Sequence, residues 1–495
     1  MLPISLRPNG RRAVIVGGGS VAARKAESLV SAGFPIFVVS ERIGEALRTL
    51  VRAAGGSFAE RGYASGDLDD AALVIAATND AEANARVVAD ARAVHLLVCD
   101  ASDPERGDFT MTATRRAGDL TISVDSGGAS PAFARRIASE LAAHLDPESA
   151  GAVAGLAQMR AYVKAAFPPG ERDGILRALA ERPVDELAGL PNAELVCATR
   201  ESALAMVQSR SVAARLAKRG VVTTMLGVTT SGDRDRTRPL DRFGDVNDFV
   251  KELESALRER RAAFAVHSCK DLAGTLPDDM RIVAISARAD ARDAFCSERY
   301  ESLESLPAGA VVGTSSPRRR AQLAALRPDL RYENLRGNVD TRLKKLARGE
   351  YDAIVLAMAG LQRLGVAATH VAAFAEDRLV PAVGQGALAV EVRSEDDAVA
   401  ALLRDAVNDP QSELCIVCER ATLRALRAGC SAPLGVHARL RGATMRVDAF
   451  YAPDSEVPRR VVLERPVETL EEAATFGIAV AEALERAKVT AGVQR

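Results

Sequence analysis

The sequence predicts an α/β protein with several domains. Over the first 145 residues, short apolar runs alternate with segments of helical periodicity, an order typical of a parallel sheet covered by helices. From residue 194 onward, strand-like runs again end in glycine turns or polar residues. A chain of 495 residues is too long for a single core and indicates about three or four domains.

Composition and charge argue against several classes of partner. Lys and Arg total 65 against 66 Asp and Glu, and Trp is absent, so neither nucleic acid nor an anionic membrane is expected as a partner. The seven cysteines are spread along the chain and do not fit a disulfide framework, which favours a cytoplasmic location. No apolar run approaches the ~20 residues that span a bilayer.

The first predicted strand leads directly into a glycine-rich turn. Strands are expected at 13–16, 36–39, 73–76, 96–99 and 120–124. The turn after the first of them fits the G-x-G-x-x-G/A pattern of Rossmann-type dinucleotide-binding domains, and its residues are Gly17, Gly18, Gly19, Ser20, Val21 and Ala22. Glycines let backbone N–H groups approach a pyrophosphate, and the following helix N-terminus is positive. The strand–turn–helix context predicts NAD binding; a glycine turn without a ligand is the alternative.

Two more strand ends border the expected NAD site. Strand 36–39 is followed by Ser40 and Glu41, either of which would bind the ribose and favour NAD over its phosphorylated form, although Arg42 leaves this choice open. Thr78 and Asn79 follow strand 73–76 and are predicted to border the nicotinamide end. A helix N-cap is an equally open interpretation of that turn.

Two later loops supply a carboxylate and a hydroxyl group. Asp100 follows strand 96–99, and Ser126 follows strand 120–124 in the run Ser-Gly-Gly-Ala-Ser-Pro. Together with the stretches 16–26 and 76–80, these loops resemble the dehydrogenase/ferrochelatase part of sirohaem synthases over residues 1 to about 190.

This resemblance implies a chemistry for the N-terminal part. The family oxidises precorrin-2 to sirohydrochlorin with NAD, and many members then insert iron. The resemblance implies that Asp100 is the general base and the carboxylate that handles transient iron, and that Ser126 lies at the tetrapyrrole site. A helix cap or an ion pair is the alternative for Asp100. Residues 146–192 correspond to a helical dimerisation or linker segment, which implies a homodimer through the N-terminal part.

Several stretches after residue 194 place cationic groups at predicted strand ends or glycine turns. They are residues 195–202, 265–271, 312–320, 334–342 and 381–386. A single arginine on a helix is most often a solvated surface group. Repeated placement after strands predicts instead a cleft for a ligand with many carboxylates, since arginine makes bidentate charge-assisted bonds.

Cys430 lies in a tight loop between Gly429 and the proline at 433. Glycine permits backbone angles closed to other residues, and proline stops a helix or a central strand, so the loop is predicted to display the thiol. On the local pattern alone, a buried core cysteine is the alternative.

In this order, the cationic stretches and the Ala-Gly-Cys-Ser-Ala-Pro loop resemble porphobilinogen deaminases (hydroxymethylbilane synthases) from about Glu194 to the C-terminus. The family fold implies three α/β domains: two similar to type II periplasmic binding proteins and a small one carrying the cofactor cysteine. The expected domains are a Rossmann-type domain at 1–145, the helical segment at 146–192, and deaminase domains at 194–287 plus 382–406, at 288–381 and at 407–495.

The same resemblance implies roles for single residues. Cys430 holds a dipyrromethane primer through a thioether, and Asp271 is the catalytic carboxylate that serves four couplings of porphobilinogen, with loss of ammonia, before hydroxymethylbilane is released. The expected ligands of the primer and substrate are Arg200, Ser202, Ser268, Lys270, Thr314, Ser316, Arg318, Arg319, Arg336, Asn338, Arg342 and Arg363. Val246 replaces a lysine that the family carries in a mobile loop over the site; weaker substrate capture and a slower step are both open as consequences, and activity is expected to survive.

Two hypotheses follow for the whole chain. In the first, it is a bifunctional tetrapyrrole enzyme in which both parts are active. In the second, an active deaminase is fused to an NAD-binding or dimerising module without catalysis.

Overall fold

The computed structural model describes residues 2–145, 147–228, 250–429, 432–453 and 458–487. The chain divides into two compact units, Met1–Gly151 and Ala152–Arg495. Cys430 and Val246 lie outside the described residues.

The first unit is built on one parallel sheet. Its strands are β1 (Arg12–Val16), β2 (Ile36–Val39), β3 (Ser57–Ala59), β4 (Ala71–Ala76), β5 (Leu97–Asp100), β6 (Ala113–Ala117) and β7 (Leu120–Val124), and its helices are α1 (Ser20–Ser31), α2 (Glu45–Ala53), α3 (Ala81–Ala93) and α4 (Pro131–Ala143). Sheet 1 has the order β3-β2-β1-β4-β5. Strand order reverses between β1 and β4, and open α/β sheets bind their ligands beyond the carboxyl ends of the strands at that place.

Burial on both faces explains why the strands of sheet 1 are continuous apolar runs. Ile15 packs into an apolar cluster on one face together with α1 and α2, whereas Val14 packs on the other face with α3. A parallel sheet covered by helices on both sides has no solvent face, so its strands do not alternate with polar residues. The prediction of a Rossmann-type domain is confirmed.

Two details of the strand prediction are wrong. Residues 120–124 do not extend the parallel sheet, because β7 pairs antiparallel with β6 in a separate hairpin. Gly118 has φ +56°, a left-handed conformation that allows the chain to reverse within two residues. Strand β3 was not predicted, because three residues are too few to show a periodicity.

The second unit contains the remaining elements. Its strands are β8 (Ala193–Arg200), β9 (Val221–Val228), β10 (Phe264–Ser268), β11 (Met280–Ile285), β12 (Asp293–Ser297), β13 (Val311–Gly313), β14 (Arg331–Glu333), β15 (Ala353–Ala357), β16 (His370–Ala373), β17 (Leu388–Arg393), β18 (Leu434–Arg441), β19 (Thr444–Tyr451) and β20 (Arg459–Pro466). The described helices are α5 (Pro147–Ala166), which begins before the boundary, α6 (Pro169–Ala180), α7 (Val184–Ala188), α8 (Ala203–Ala217), α9 (Lys251–Arg258), α10 (Pro317–Leu326), α11 (Val339–Ala347), α12 (Met358–Leu364), α13 (Asp397–Val407), α14 (Pro410–Ala425) and α15 (Leu470–Arg486).

These strands form three sheets. Sheet 2 has the order β11-β17-β10-β8-β9, sheet 3 the order β14-β13-β15-β12-β16, and sheet 4 the order β18-β19-β20. The chain crosses from sheet 2 to sheet 3 between β11 and β12 and returns as β17, which is antiparallel to both β10 and β11. Helices α14 and α15 pack together on sheet 4. None of the described helices is both long and apolar enough to traverse a bilayer.

Candidate functional site

The predicted catalytic stretch lies where β10 ends in sheet 2. A single turn of 3-10 helix, Cys269–Asp271, follows the strand directly. Cys269 is buried and anchors this turn, whereas Lys270 and Asp271 are partly exposed. The charged neighbours of the Asp271 carboxylate in the described part of the chain include Lys270 and Arg342.

Cationic side chains from sheets 2 and 3 line one cleft beside this turn. Lys270 comes from sheet 2, and Arg319, Arg342 and Arg363 come from helices α10, α11 and α12 around sheet 3. Ser268 lines the same cleft. The structure therefore brings together five of the predicted ligand-binding residues, and none of the described residues that line the cleft is acidic.

The cations in this cleft lack sufficient counter-charge. Burial lowers the pKa of Lys270 to about 8, although nearby Asp271 opposes that shift. Burial and neighbouring Arg319 lower the pKa of Arg342 to about 10, again against Asp271. Burial also lowers the pKa of Arg363. A depressed pKa means that the charged form is poorly stabilised, so a ligand carrying carboxylates would bind favourably here.

A buried carboxylate on β12 fixes two of the predicted arginines. Asp293 is fully buried; Arg318 Nη1 donates to its Oδ2 at 2.7 Å, and Arg319 Nη2 donates to its Oδ1 at 2.7 Å. Burial alone would raise the pKa of Asp293, but the two guanidinium groups lower it well below its ordinary value. Arg318 also donates to the carbonyl of Val380 at 2.6 Å and does not line the cleft.

Two glutamines that were given no role on sequence grounds also line the cleft. Gln385 Nε2 donates to Asp293 Oδ1 at 3.0 Å, and its Oε1 accepts from Lys270 Nζ at 3.4 Å. Gln208 Nε2 on α8 donates to Ser268 Oγ at 2.8 Å. No local signal in the sequence marks Gln208, because α8 also carries Ser209, Arg210 and Ser211, and none marks Asp293.

The other predicted ligands lie at strand and helix ends without lining the cleft. Ser202 and Ser316 are N-caps, accepting hydrogen bonds from the backbone N–H groups of the third residue that follows each of them. Thr314 is buried and accepts from the Ser316 N–H. The remaining three are Arg200 at the end of β8, half-buried Arg336, and exposed Asn338 at the start of α11. Their binding roles stay predictions.

A second buried carboxylate supports the glycine turn of the cleft. Glu419 on α14 accepts hydrogen bonds from Arg288 Nη1 at 2.5 Å and from the Gly384 N–H at 2.7 Å. Burial opposes its ionisation, but Arg288 and His437 lower its pKa. Gly384 has φ +72°, and a Cβ there would lie 2.7 Å from the Cys269 sulfur. The turn therefore packs against the residue that precedes Lys270.

The glycine turn of the first unit has the form of a nucleotide cradle. A Cβ on Gly17 would lie 2.2 Å from the Ala77 carbonyl oxygen, and a Cβ on Gly18 would lie 1.9 Å from the Arg42 carbonyl oxygen.

Gly19 instead faces open space and begins the twelve-residue helix α1 without a side-chain cap. Exposed Ser20 and Val21 follow in the first turn, and buried Ala22 anchors the helix. The uncapped N–H groups fit a pyrophosphate.

The flanking residues lie at the carboxyl ends of β2 and β4, and their binding roles stay predictions. Ser40 Oγ donates to the Arg42 carbonyl at 2.9 Å, and Glu41 is exposed beside it. Thr78 Oγ1 donates to Asn84 Oδ1 at 2.7 Å, while Asn79 is exposed. The N-cap that the sequence left open is present at position 80, where the aspartate accepts two N–H groups of α3.

Asp100 is 1% exposed at the end of β5. Its Oδ1 accepts from Ser102 Oγ at 2.6 Å and from the N–H groups of Ser102 and Asp103, whereas Oδ2 is buried without a partner among the described residues.

Ser126 Oγ accepts from the Ser130 N–H at 3.1 Å in the turn before α4. No group of three or more His, Cys, Asp or Glu side chains in the described ranges is arranged to hold a metal ion.

Family profiles match three regions of the chain. Residues 4–113 match the family described as putative NAD(P)-binding. Residues 195–401 match the porphobilinogen deaminase, dipyromethane cofactor binding domain, and residues 413–486 match the porphobilinogen deaminase C-terminal domain.

Curated relatives cover the C-terminal part. Porphobilinogen deaminase of Methylobacillus flagellatus is 48% identical over 260 residues, which are 52% of this chain and 84% of that protein. The enzymes of Chromobacterium violaceum and Albidiferax ferrireducens are 47% and 45% identical, over 86% and 95% of their lengths and 53% and 60% of this chain.

Solved structures are more distant. SirC, a precorrin-2 dehydrogenase, aligns at 22% identity with a TM-score of 0.32, over 37% of this chain and 92% of that one. The periplasmic VFT2 domain of BvgS from Bordetella pertussis aligns at 15% identity with a TM-score of 0.27, over 44% of this chain and 88% of that one. At these TM-scores, neither similarity carries functional information.

Profiles thus identify both parts of the chain, and the curated relatives agree for the C-terminal part. The N-terminal part is an NAD(P)-binding domain, and its glycine cradle fits NAD. The C-terminal part matches deaminase profiles from residue 195 to residue 486, and relatives up to 48% identical are covered over most of their length. This chain therefore belongs to the porphobilinogen deaminase family and joins the domains of that family to an N-terminal NAD(P)-binding domain.

Proposed function

We propose that the C-terminal part is a porphobilinogen deaminase that condenses four porphobilinogen molecules into hydroxymethylbilane with release of ammonia. The observation that carries this proposal is the cleft in which Lys270, Arg342 and Arg363 converge close to the carboxylate of Asp271. Porphobilinogen carries acetate and propionate side chains, which are the counter-charges that these cations lack.

Asp271 has the chemical properties that each coupling requires. Positive charge develops on the pyrrole nitrogen as ammonia leaves, and a nearby carboxylate stabilises that charge and can accept a proton. Cys430 is the proposed attachment point of dipyrromethane. When bound, that cofactor supplies the pyrrole carbon to which the first substrate unit is joined. Lys270 and the arginines hold the carboxylates of the growing chain.

The proposal is tested with Asp271→Asn in the full chain. We expect kcat for hydroxymethylbilane formation to fall by roughly 10²–10⁴-fold, the range typical of a lost acid–base group. Asp278→Asn is the matched control, because that aspartate is exposed in the same segment. Intact mass of the wild type and of Cys430→Ser supplies a second readout. A wild type without an adduct of dipyrromethane size would refute the attachment at Cys430.

For the N-terminal part we propose the oxidation of precorrin-2 to sirohydrochlorin. Support comes from the glycine cradle and from Asp100, whose buried Oδ2 has no partner in the described structure. NAD supplies the hydride acceptor, and Asp100 takes up the proton that the macrocycle loses. Iron insertion into sirohydrochlorin, with ferrous iron as a substrate, would use the same carboxylate to accept pyrrole protons.

The alternative is an NAD-binding module without catalysis, and one assay separates the two. Precorrin-2 oxidation is measured in the wild type, in Asp100→Asn and in the exposed control Asp119→Asn. We expect loss of oxidation in Asp100→Asn alone. Equal background rates in all three proteins would favour the non-catalytic module. Adding ferrous iron to the same reactions and recording the sirohaem spectrum tests the chelatase activity.

A further inference from the structure

The helical segment 152–190 packs within the second unit. Met159 and Val163 of α5, and Phe167 directly after it, are buried in one apolar cluster with Leu179 of α6 and Ala213 of α8. In this segment the large apolar side chains face α8 and β9. A helical segment that served mainly to join two copies of the chain would keep an apolar face exposed, and here Val184 is the one large apolar side chain of the described segment that is strongly exposed.

Tyr162 closes the open edge of sheet 2. Strand β9 is the edge strand, so the peptide groups on its outer side have no neighbouring strand. The Tyr162 hydroxyl donates to the Thr223 carbonyl at 3.1 Å and accepts from the Thr223 N–H at 2.9 Å. One side chain thus takes the place of a missing strand at this residue. Covering an edge prevents strand pairing with other chains.

The end of the segment is fixed to the turn between α8 and β9. The Asn192 N–H donates to the Gly220 carbonyl at 2.8 Å, and Asn192 Nδ2 donates to the Arg219 carbonyl at 2.9 Å. Gly220 has φ +80°, and a Cβ there would lie 2.0 Å from Leu190 Cδ2. The contact is therefore closely fitted to a glycine.

Helix α8 links this contact to the cleft. Its C-terminal half carries Ala213 and Ala217, which pack against the segment, and its N-terminal half carries Leu204 and Gln208, which line the cleft. We propose that residues 152–190 are a structural part of the deaminase unit. They cover the edge of sheet 2 at Thr223 and hold α8 in the position in which Gln208 contacts Ser268. On this proposal, the segment does not form the interface between two copies.

The test uses the full chain and a neighbouring pair of residues. Met159 is fully buried, whereas Gln158 is exposed on the same helix. A carboxylate forced into a core is among the most damaging substitutions, so Met159→Asp should raise the unfolding equilibrium constant of the second unit by roughly 100-fold or more. It should also lower deaminase kcat/KM. Gln158→Asp should change neither, and NADH binding by the first unit should be the same in both variants.

The Tyr162→Phe variant tests the proposal even if the Met159→Asp protein does not fold. Loss of the hydroxyl should accelerate amide hydrogen exchange in the fragment covering 221–228, and size-exclusion chromatography should show an unchanged oligomeric state. Exchange and unfolding do not depend on the catalytic assignment, so they test this inference even if the proposed activity fails. Unchanged exchange in Tyr162→Phe would overturn it. So would a Met159→Asp protein that changes only from dimer to monomer, because the segment would then be an interface between copies.

Discussion

Replacing Asp293 by asparagine tests whether one buried carboxylate holds Arg319 of the cleft and its neighbour Arg318. The substitution keeps the shape of the side chain and removes the charge that Arg318 and Arg319 share. Both guanidinium groups are almost wholly buried. Removing one partner of a buried ion pair costs about 3–5 kcal/mol, because the other charge is left uncompensated. At about 2–4 °C per kcal/mol for a large domain, the unfolding midpoint should fall by roughly 6–20 °C.

Urea denaturation followed by circular dichroism measures the loss of unfolding free energy, and NADH binding reports separately on the first unit. Asp290→Asn is the control, because Asp290 pairs with Arg292 at 2.6 Å in a partly exposed ion pair, which is worth at most about 1 kcal/mol. Equal stability of the two variants would refute the assigned role of Asp293.

The pH dependence of that difference has a defined sign. The folded-state pKa of Asp293 is lowered from 3.8, so its carboxylate stabilises the fold fully above that pH. The stabilisation is lost as the pH falls through the folded-state pKa. The gap in unfolding free energy between the wild type and Asp293→Asn should therefore be constant near neutrality and shrink below pH 3.8.

Three other predictions concern single residues. Because the pKa of Lys270 is about 8, its charge is lost above that pH, and KM for porphobilinogen should rise there in steady-state assays; Lys270→Arg should remove this dependence. Gly19→Val should abolish NADH binding measured by fluorescence while leaving the unfolding midpoint unchanged, since a Cβ there meets no protein atom, whereas Gly17→Val should destabilise the first unit because of its backbone clash. Glu419→Gln should destabilise the second unit by about 3–5 kcal/mol in urea, because the partly buried Arg288 loses its fully buried counter-charge; a change under about 1 kcal/mol would contradict this.

The sequence predicted those features that depend on local pattern. The apolar runs of sheet 1 and the glycine turn at Gly17 follow from periodicity or from turn chemistry within a few residues, whereas the cap at residue 80 was one of two open interpretations of its turn. Lys270 and Arg342 could be placed in one cleft because both follow motifs at strand or helix ends.

Features that depend on distant partners could not be predicted. Asp293 and Arg319 are 26 positions apart, and Tyr162 and Thr223 are 61 apart. The residues that surround Asp293 and Tyr162 in the sequence give no sign of these distant partners. The strand at 120–124 was assigned to the wrong sheet for the same reason, since periodicity identifies a strand but not its neighbour.

The position of β17 in sheet 2 has a consequence for synthesis of the chain on the ribosome. Strands β10 and β11 are not paired with each other, because each pairs with β17 on one side of it. Until Leu388–Arg393 has left the exit tunnel, β11 has no partner strand and β10 has only one of its two partner strands. The turn that carries Asp271 is then supported by an incomplete sheet. Sheet 3, whose strands all precede β17, can be complete by then. The candidate site is thus assembled late, and a chain cut short anywhere before β17 cannot form it, even though it contains Asp271 and most of the cationic residues.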